Sequence, residues 1–201
     1  GMECIAGRTK IGETLRAYLH ASRPPLQWSG RQVVSVMRGL EHAYTSTGLL
    51  HLDIKPDNIL VDIMGKFWLT DFGLAGATNA RPAPSLRIGT PGFQSPEHLG
   101  EGTLSERSDV FSMGMTLAFT IARSASDPSV DVAALKQIAS RAASSDPLQR
   151  FSTIRDMRSQ LESALGMVDT SSIAASMPEL SFAQRLNRAV SKEHVGQSDE
   201  A

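Results

Sequence analysis

The stretch HLDIKPDN, residues 51–58, contains a histidine, two aspartates, a lysine and an asparagine within eight positions. The apolar residues Leu49 and Leu50 precede it, and the apolar run 59–61 follows it. Both flanking segments have the composition of short buried strands. Such a concentration of polar groups between two apolar segments requires a chemical explanation, which the neighbouring sequence suggests.

Hydrophobic periodicity predicts a mainly helical protein with a few short strands in a hairpin. Helices are expected at residues 14–19, 109–122, 132–143 and 154–165, and from an N-cap near Ser29 to Gly48. Strands are expected at residues 59–61 and 67–69. Residues 74–96 show no periodicity, so we expect a long loop there, and loops of that length are usually functional or disordered.

Asp53 and Asp71 lie eighteen positions apart, on either side of the predicted hairpin. Gly65 lies in the turn of this hairpin and can adopt a positive φ. A hairpin brings the two ends of its sequence together. We therefore expect Asp53, Lys55, Asn58 and Asp71 to share one end of the hairpin. This group suits phosphoryl transfer: a carboxylate accepts the proton of a hydroxyl, an ammonium neutralises phosphate charge, and amide and carboxylate oxygens bind Mg²⁺.

The pattern H-x-D-x-K-P-x-N followed by D-F-G resembles the catalytic and metal-binding loops of eukaryotic-type protein kinases. Further segments match the same family in order. They are MECI at residues 2–5 (the hinge), GTPGFQSPE at 89–97 (the end of the activation segment), SDVFSMG at 108–114 (a buried helix) and DPLQR at 146–150. The resemblance implies a protein-kinase-like C-terminal lobe over residues 1–165, which begins at the hinge.

The resemblance implies a catalytic role for three residues. Asp53 would orient the substrate hydroxyl and accept its proton, and Lys55 would contact the γ-phosphate of ATP. A lysine at this place is typical of Ser/Thr kinases. Thr90 would bridge Asp53 and Lys55, and Asn58 and Asp71 would hold Mg²⁺.

The resemblance also implies an adenine site and a supporting scaffold. Leu60 would form the floor beneath adenine, and the backbone of Glu3 and Ile5 would bind its edge. Glu97 and Arg150 would form a buried ion pair. The internal scaffold would comprise His51, Phe72 and Asp109. Asp109 is equally well explained as the N-cap of its helix.

Three features depart from the family pattern. Residues 1–50 are taken up by the hinge and helices, so we expect a C-lobe alone. Such a lobe needs its N-lobe or a covering partner. In isolation we expect it to transfer phosphate weakly or not at all. Leu52 stands where most kinases have an arginine that pairs with a phosphate. Activity is therefore not expected to require phosphorylation of Thr78 or Ser85. The segment before Asp146 is short, which puts the usual substrate-docking helix in question.

Composition limits the other partners. The chain has 201 residues, 41% of them hydrophobic, and a net charge of -1, which favours neither a nucleic-acid nor a membrane partner. Cys4 is the only cysteine, so no internal disulfide can form. The longest apolar run, 113–122, is shorter than the ~20 residues that cross a bilayer. We expect a cytoplasmic protein. Its Ser/Ala-rich tail, 166–201, has the pattern of an amphipathic helix at 178–194.

Three classes of function remain open from the sequence. The first is a Ser/Thr protein kinase domain that uses ATP and Mg²⁺ to phosphorylate a protein. The second is a non-catalytic kinase-like scaffold or regulatory module, which would not need Asp53, Lys55, Asn58 and Asp71. The third is a small-molecule phosphotransferase, against which Lys55 and the segment 89–97 argue.

Overall fold

The computed structural model describes residues 11–72, 76–77, 92–100 and 102–167, with the backbone alone at Ile11 and at 76–77. Most of these residues are helical. The helices are α1 (Leu15–Ser22), α2 (Leu26–Thr47), α3 (Pro96–Leu99), α4 (Glu106–Arg123), α5 (Val132–Ala142) and α6 (Ile154–Ala164). The strands are β1 (Ile11–Thr14), β2 (Leu49–Leu50), β3 (Ile59–Asp62), β4 (Phe67–Leu69) and β5 (Gly76–Ala77). The predicted class, mainly α with short hairpin strands, is confirmed.

The hairpin of β3 and β4 has the predicted position. Its register pairs Ile59 with Leu69, and β1 adds a third antiparallel strand on the other side of β3. Gly65 in the turn has φ 78°, which a side chain would disfavour. The Asp62 carboxylate accepts hydrogen bonds from backbone N–H groups of the turn and, at 2.8 Å, from the indole of Trp68. The turn is thus fixed by local hydrogen bonds.

Helix α4 is the centre of the core, as the sequence predicted. Val110, Met113 and Leu117 have no solvent exposure. It packs against α2 and α5, while α6 packs against α2. The buried hydroxyl groups of Ser112, Thr116 and Thr120 each donate to the carbonyl four residues earlier at 2.9–3.2 Å, so their burial leaves these donors paired.

Two predicted helix starts are wrong. Helix α2 begins at Leu26, because Pro25 before it is extended, with ψ 139°, and Leu26 N donates to Ala125 O at 3.2 Å. Ser29 lies inside the helix, where its hydroxyl donates to Pro25 O at 3.1 Å and accepts from Ser124 at 2.9 Å. Asp109 is not a cap either, since Ser105 forms a capping box at the start of α4.

Several predicted features lie outside the described residues. They are the adenine-edge residues Glu3 and Ile5, Thr90, most of the loop 74–96, and the helix expected at 178–194. The domain boundary near residue 165 stays a prediction. Within the described ranges, no helix combines the length and apolar character that crossing a membrane requires.

Candidate active site

Asp53 is the centre of a hydrogen-bonded group. The ammonium of Lys55 lies 2.8 Å and 3.0 Å from its two carboxylate oxygens. The amide nitrogen of Asn58 donates to Asp53 Oδ2 at 2.7 Å and to its backbone carbonyl at 2.9 Å. The Asp53 side chain is 10% exposed, so it reaches solvent only at one edge. Hydrogen bonds therefore join three of the four residues predicted to share this end of the hairpin.

The local sequence explains how Asn58 reaches Asp53. Lys55 precedes a proline and is extended, with φ -159° and ψ 162°, as the residue before proline prefers. Residues 56–58 then form one tight turn, closed by the hydrogen bond from Asn58 N to Lys55 O at 3.0 Å. This turn reverses the chain and returns the Asn58 side chain to Asp53.

Asp109 supports this loop from below. Its carboxylate oxygens accept hydrogen bonds from the backbone nitrogens of His51 and Leu52, each at 2.8 Å. Leu52 has φ 65°, a left-handed conformation that costs a branched residue about 1–3 kcal/mol. The two hydrogen bonds help to hold that conformation. Burial raises the pKa of Asp109 to about 6, although the two amide hydrogen bonds act in the opposite direction.

The environment of Leu52 explains why an apolar residue stands where most members of the family have an arginine. Its side chain is 1% exposed and packs with Leu50 and Leu104 in a small apolar cluster that Tyr44 borders. Leu52 therefore makes an apolar contact beneath the loop, at the place where most members of the family have an arginine.

His51 is a packed, hydrogen-bonded histidine, as predicted. Its Nδ1 accepts from the backbone nitrogen of Asp53 at 3.3 Å, and its Nε2 lies 3.1 Å from Thr70 O. These partners favour the neutral ring with the proton on Nε2. Burial lowers the pKa of His51, outweighing the opposing effect of Thr70 and nearby carboxylates. The ring also contacts that of Phe72, with centroids 4.4 Å apart.

Asp71 lies at the same end of the hairpin. The preceding residue, Thr70, donates from its backbone nitrogen to Asn58 O at 2.9 Å. Asp71 has φ 64° and an exposed side chain. Because both donor hydrogens of Asn58 serve Asp53, its amide oxygen is the atom suited to a cation. One amide oxygen and one carboxylate fit Mg²⁺, which keeps several water or phosphate ligands. No group of three acidic, histidine or cysteine residues forms a metal site within the described part of the chain.

Leu60 is the one predicted adenine contact that the structure describes. It lies in the middle strand, paired with Trp68 on one side and Thr14 on the other, and is partly exposed. An apolar side chain with a free surface in a sheet can serve as a floor for a flat ring. The position of Leu60 is compatible with the predicted role.

The predicted ion pair between Glu97 and Arg150 is confirmed. Two hydrogen bonds of 2.7 Å and 2.9 Å join their side chains, and the Arg150 side chain is 0% exposed. Burial opposes ionisation of Glu97, but the hydrogen bonds from Arg150 and Ser108 outweigh it and lower the pKa of the carboxyl. Arg150 also donates to Arg107 O at 2.9 Å, so it joins α3 to the start of α4.

One ion pair at the edge of the site was not predicted. Arg16 on α1 binds Asp57 through two nitrogens, with distances of 2.8–3.0 Å. Asp57 lies in the turn between Lys55 and Asn58. The Arg16 hydrogen bonds raise the pKa of the guanidinium and lower that of Asp57, against a smaller effect of burial. The residues are 41 positions apart, and no motif links them.

Comparisons with known proteins point to the same family that the motifs resemble. The family described as "Protein kinase domain" matches residues 10–172. The chain is 39% identical over 128 residues to the proline-rich receptor-like protein kinase PERK2 of Arabidopsis thaliana, covering 57% of this chain and 18% of that protein. It is 36% identical over 128 residues to PERK3 of the same plant, covering 57% of this chain and 25% of that protein. The chain thus spans a quarter or less of the length of these relatives.

Proposed function

The chain belongs to the protein kinase family, and on that premise we propose that it transfers the γ-phosphoryl group of ATP to a serine or threonine of a protein. The observation that supports this proposal most is the three-residue group in which Lys55 and Asn58 both bind the Asp53 carboxylate. A scaffold gains little from concentrating these groups at an accessible edge. Phosphoryl transfer requires them together.

Asp53 is proposed as the residue that orients the acceptor hydroxyl and accepts its proton. Hydrogen bonds from two side chains fix the direction of its carboxylate. A base held in one orientation can place a hydroxyl in line with the phosphorus, and positioning of this kind supplies much of the catalysis in phosphoryl transfer. Thr90 is proposed to complete this part of the site.

Lys55 is proposed to neutralise charge on the transferred phosphoryl group. Its ammonium is already 2.8 Å from Asp53, so a phosphate that Lys55 contacts lies next to the acceptor hydroxyl. Asn58 and Asp71 are proposed to bind Mg²⁺, which when present neutralises the phosphate oxygens. Leu60, Glu3 and Ile5 are proposed to position adenine.

Activity is proposed to be independent of phosphorylation at Thr78 and Ser85. An activating phosphate needs a cation beside the catalytic loop. The residue before Asp53 is instead Leu52, which is buried in an apolar cluster. Asp109 already supports the loop conformation through hydrogen bonds to its backbone, so no phosphate is needed to hold the loop in place.

The test is phosphoryl transfer by the natural full-length protein that contains this chain. Incorporation of labelled phosphate from Mg·ATP into a serine-containing protein is compared for the wild type, Asp53→Asn and a control, Asp156→Asn. Asp156 is an exposed residue at the start of α6. We expect Asp53→Asn to lose activity by about 10²–10⁴-fold and the control to keep it. Full activity in Asp53→Asn would refute the assignment, and inactivity of the wild type would favour the scaffold.

A further inference from the structure

Helix α1 and its C-terminal cap have a row of nitrogen-containing side chains beside the site. Arg16 and His20 lie one turn apart on the same side of α1, and Arg23 caps the end of the helix with φ 40°. Arg123, at the end of α4, joins them: its Nε donates a hydrogen bond to His20 Nε2 at 3.2 Å, so the charge of the stripe lies on its three arginines. We call these four residues the basic stripe.

Phe119 contacts two arginines of the stripe, Arg16 near the site and Arg123. The guanidinium carbon of Arg16 lies 4.8 Å from the centre of its ring, and that of Arg123 lies 4.0 Å from it. Phe93, which follows the segment containing Thr90, packs on the same ring at 6.3 Å between centroids. Stacking on an aromatic ring fixes a guanidinium while leaving its edge able to bind a carboxylate.

The part of the stripe that includes Arg23 borders a groove. It has a volume of about 430 Å³ and is lined by His20, Arg23 and Arg123 together with Leu19 and Ala122. The lining thus combines apolar side chains with two arginines. A groove of this kind suits an extended peptide with acidic side chains better than it suits a flat surface.

The charge of the stripe is only partly balanced. Among the described residues, the Asp57 carboxylate is the only one that forms an ion pair with the stripe, and it does so through Arg16. The carboxylate of Asp127, on the segment packed beside Pro25, binds Ser129 and the backbone of Gln27 instead. Glu13, which precedes α1, forms no ion pair with these arginines. Arg23 and Arg123 therefore form no ion pair within the described part of the chain and can bind carboxylates of a partner.

The stripe begins at the catalytic loop. Arg16 binds Asp57, and the adjacent Asn58 binds Asp53. From Arg16 to Ser22 the helix rises about 9 Å, and Arg23 follows directly, so the stripe is about as long as three residues of extended peptide. A peptide with its hydroxyl at Asp53 can thus place nearby side chains along the stripe.

We propose that the basic stripe binds acidic side chains of the acceptor protein and so determines which serine or threonine is phosphorylated. This inference rests on the proposed function in taking the acceptor protein as the occupant. Arg16 has a second effect in this arrangement. By pairing with Asp57 it neutralises the carboxylate next to the site that would otherwise attract a basic peptide.

Peptide binding to the 201-residue chain tests the proposal without ATP. We compare two fluorescein-labelled peptides of equal length, each with a central serine. Glutamates flank the serine in one peptide, and lysines flank it in the other. We expect the glutamate peptide to bind about tenfold more tightly by fluorescence anisotropy at ~50 mM salt and to weaken at ~200 mM, where screening is stronger.

Variants locate the binding to the stripe. Arg23→Gln and Arg123→Gln are each expected to weaken the glutamate peptide about two- to fivefold. Arg31→Gln, an exposed arginine on α2, is the matched control and should have no effect. Arg123→Glu should also strengthen binding of the lysine peptide. Thermal melting of each variant verifies that it is folded.

Three results would overturn the proposal. They are equal affinity for the two peptides, equal weakening by Arg31→Gln and the stripe variants, and stripe-dependent binding of anionic lipid vesicles in place of the peptide. Failure of the proposed function gives a different result. In that case the full-length protein would transfer no phosphate, while the chain would still prefer the glutamate peptide. Transfer with no preference for glutamate-flanked serines would overturn the stripe alone.

Discussion

The buried carboxylate of Asp109 lies 2.8 Å from the backbone nitrogen of His51, a residue 58 positions earlier in the chain. Its other oxygen binds the next backbone nitrogen, that of Leu52. The central helix α4 thus fixes the two residues directly before Asp53. The position of the proposed base therefore depends on a contact from the middle of the core.

Asp109→Asn should lower the free energy of unfolding by about 1–3 kcal/mol, measured by urea denaturation. An amide has one acceptor oxygen for two N–H donors, and its own NH₂ group would face the second donor. The matched control is Asp131→Asn. Asp131 caps α5 through one oxygen alone, and asparagine is an equally good N-cap. Equal stability of both variants would show that the loop does not depend on the two hydrogen bonds.

Glu97→Gln should reduce stability by about 2–4 kcal/mol at pH 7, because Arg150 would remain buried without a carboxylate. The effect should depend on pH. The pKa of Glu97 is lowered in the folded protein, so its contribution is present above the unfolded value of 4.5 and is lost as the pH falls through the folded value. Unfolding curves of both proteins should therefore converge below pH 4.5. A constant difference down to pH 3 would contradict this explanation.

Asn58→Asp should lower the melting temperature in the absence of Mg²⁺ and recover part of it when Mg²⁺ is added. The variant replaces the donor that lies 2.7 Å from the Asp53 carboxylate with a second carboxylate, and two like charges at that distance repel. A divalent cation would reduce the repulsion. Differential scanning fluorimetry with NaCl of matched ionic strength is the control. Equal recovery in NaCl would show that the cation is not bound locally.

Gly65→Ala should cost about 1–3 kcal/mol of stability. Gly65 has φ 78°, and an added Cβ would lie 2.8 Å from the Trp28 ring. Gly39→Ala is the opposite case, since it lies in α2 with no atom within 4 Å of an added Cβ. It should stabilise by about 0.5–1 kcal/mol, because alanine favours helix more than glycine does. Chemical denaturation of the pair tests both signs together.

Replacing both Thr78 and Ser85 by alanine should leave phosphoryl transfer by the full-length protein within about twofold of the wild type. The apolar environment of Leu52 offers no charge partner for a phosphate. Initial rates with a saturating protein substrate measure the effect. A loss comparable to that of Asp53→Asn would mean that a phosphate orders the site through another cation.

The hairpin and the catalytic loop before it could be predicted from the sequence, because both are formed by contacts between residues close together in the chain. Gly65, the strands on either side of it, and the proline after Lys55 fix the backbone by interactions over a few residues. Asp53, Lys55 and Asn58 meet within one turn for that reason. Glu97 and Arg150 were paired correctly only through the family resemblance, since nothing in their own spacing implies contact.

Long-range contacts were decided by the tertiary structure. The first backbone nitrogen of α2, that of Leu26, donates to Ala125 O, and Ser29 accepts a hydrogen bond from Ser124, 95 positions away. The roles of Asp109 beneath the loop and of Arg16 at Asp57 depend on how whole helices pack. Sequence periodicity shows which face of a helix is buried, but not which polar group it will meet. That choice depends on the sum of many packing contacts, so only the folded chain determines it.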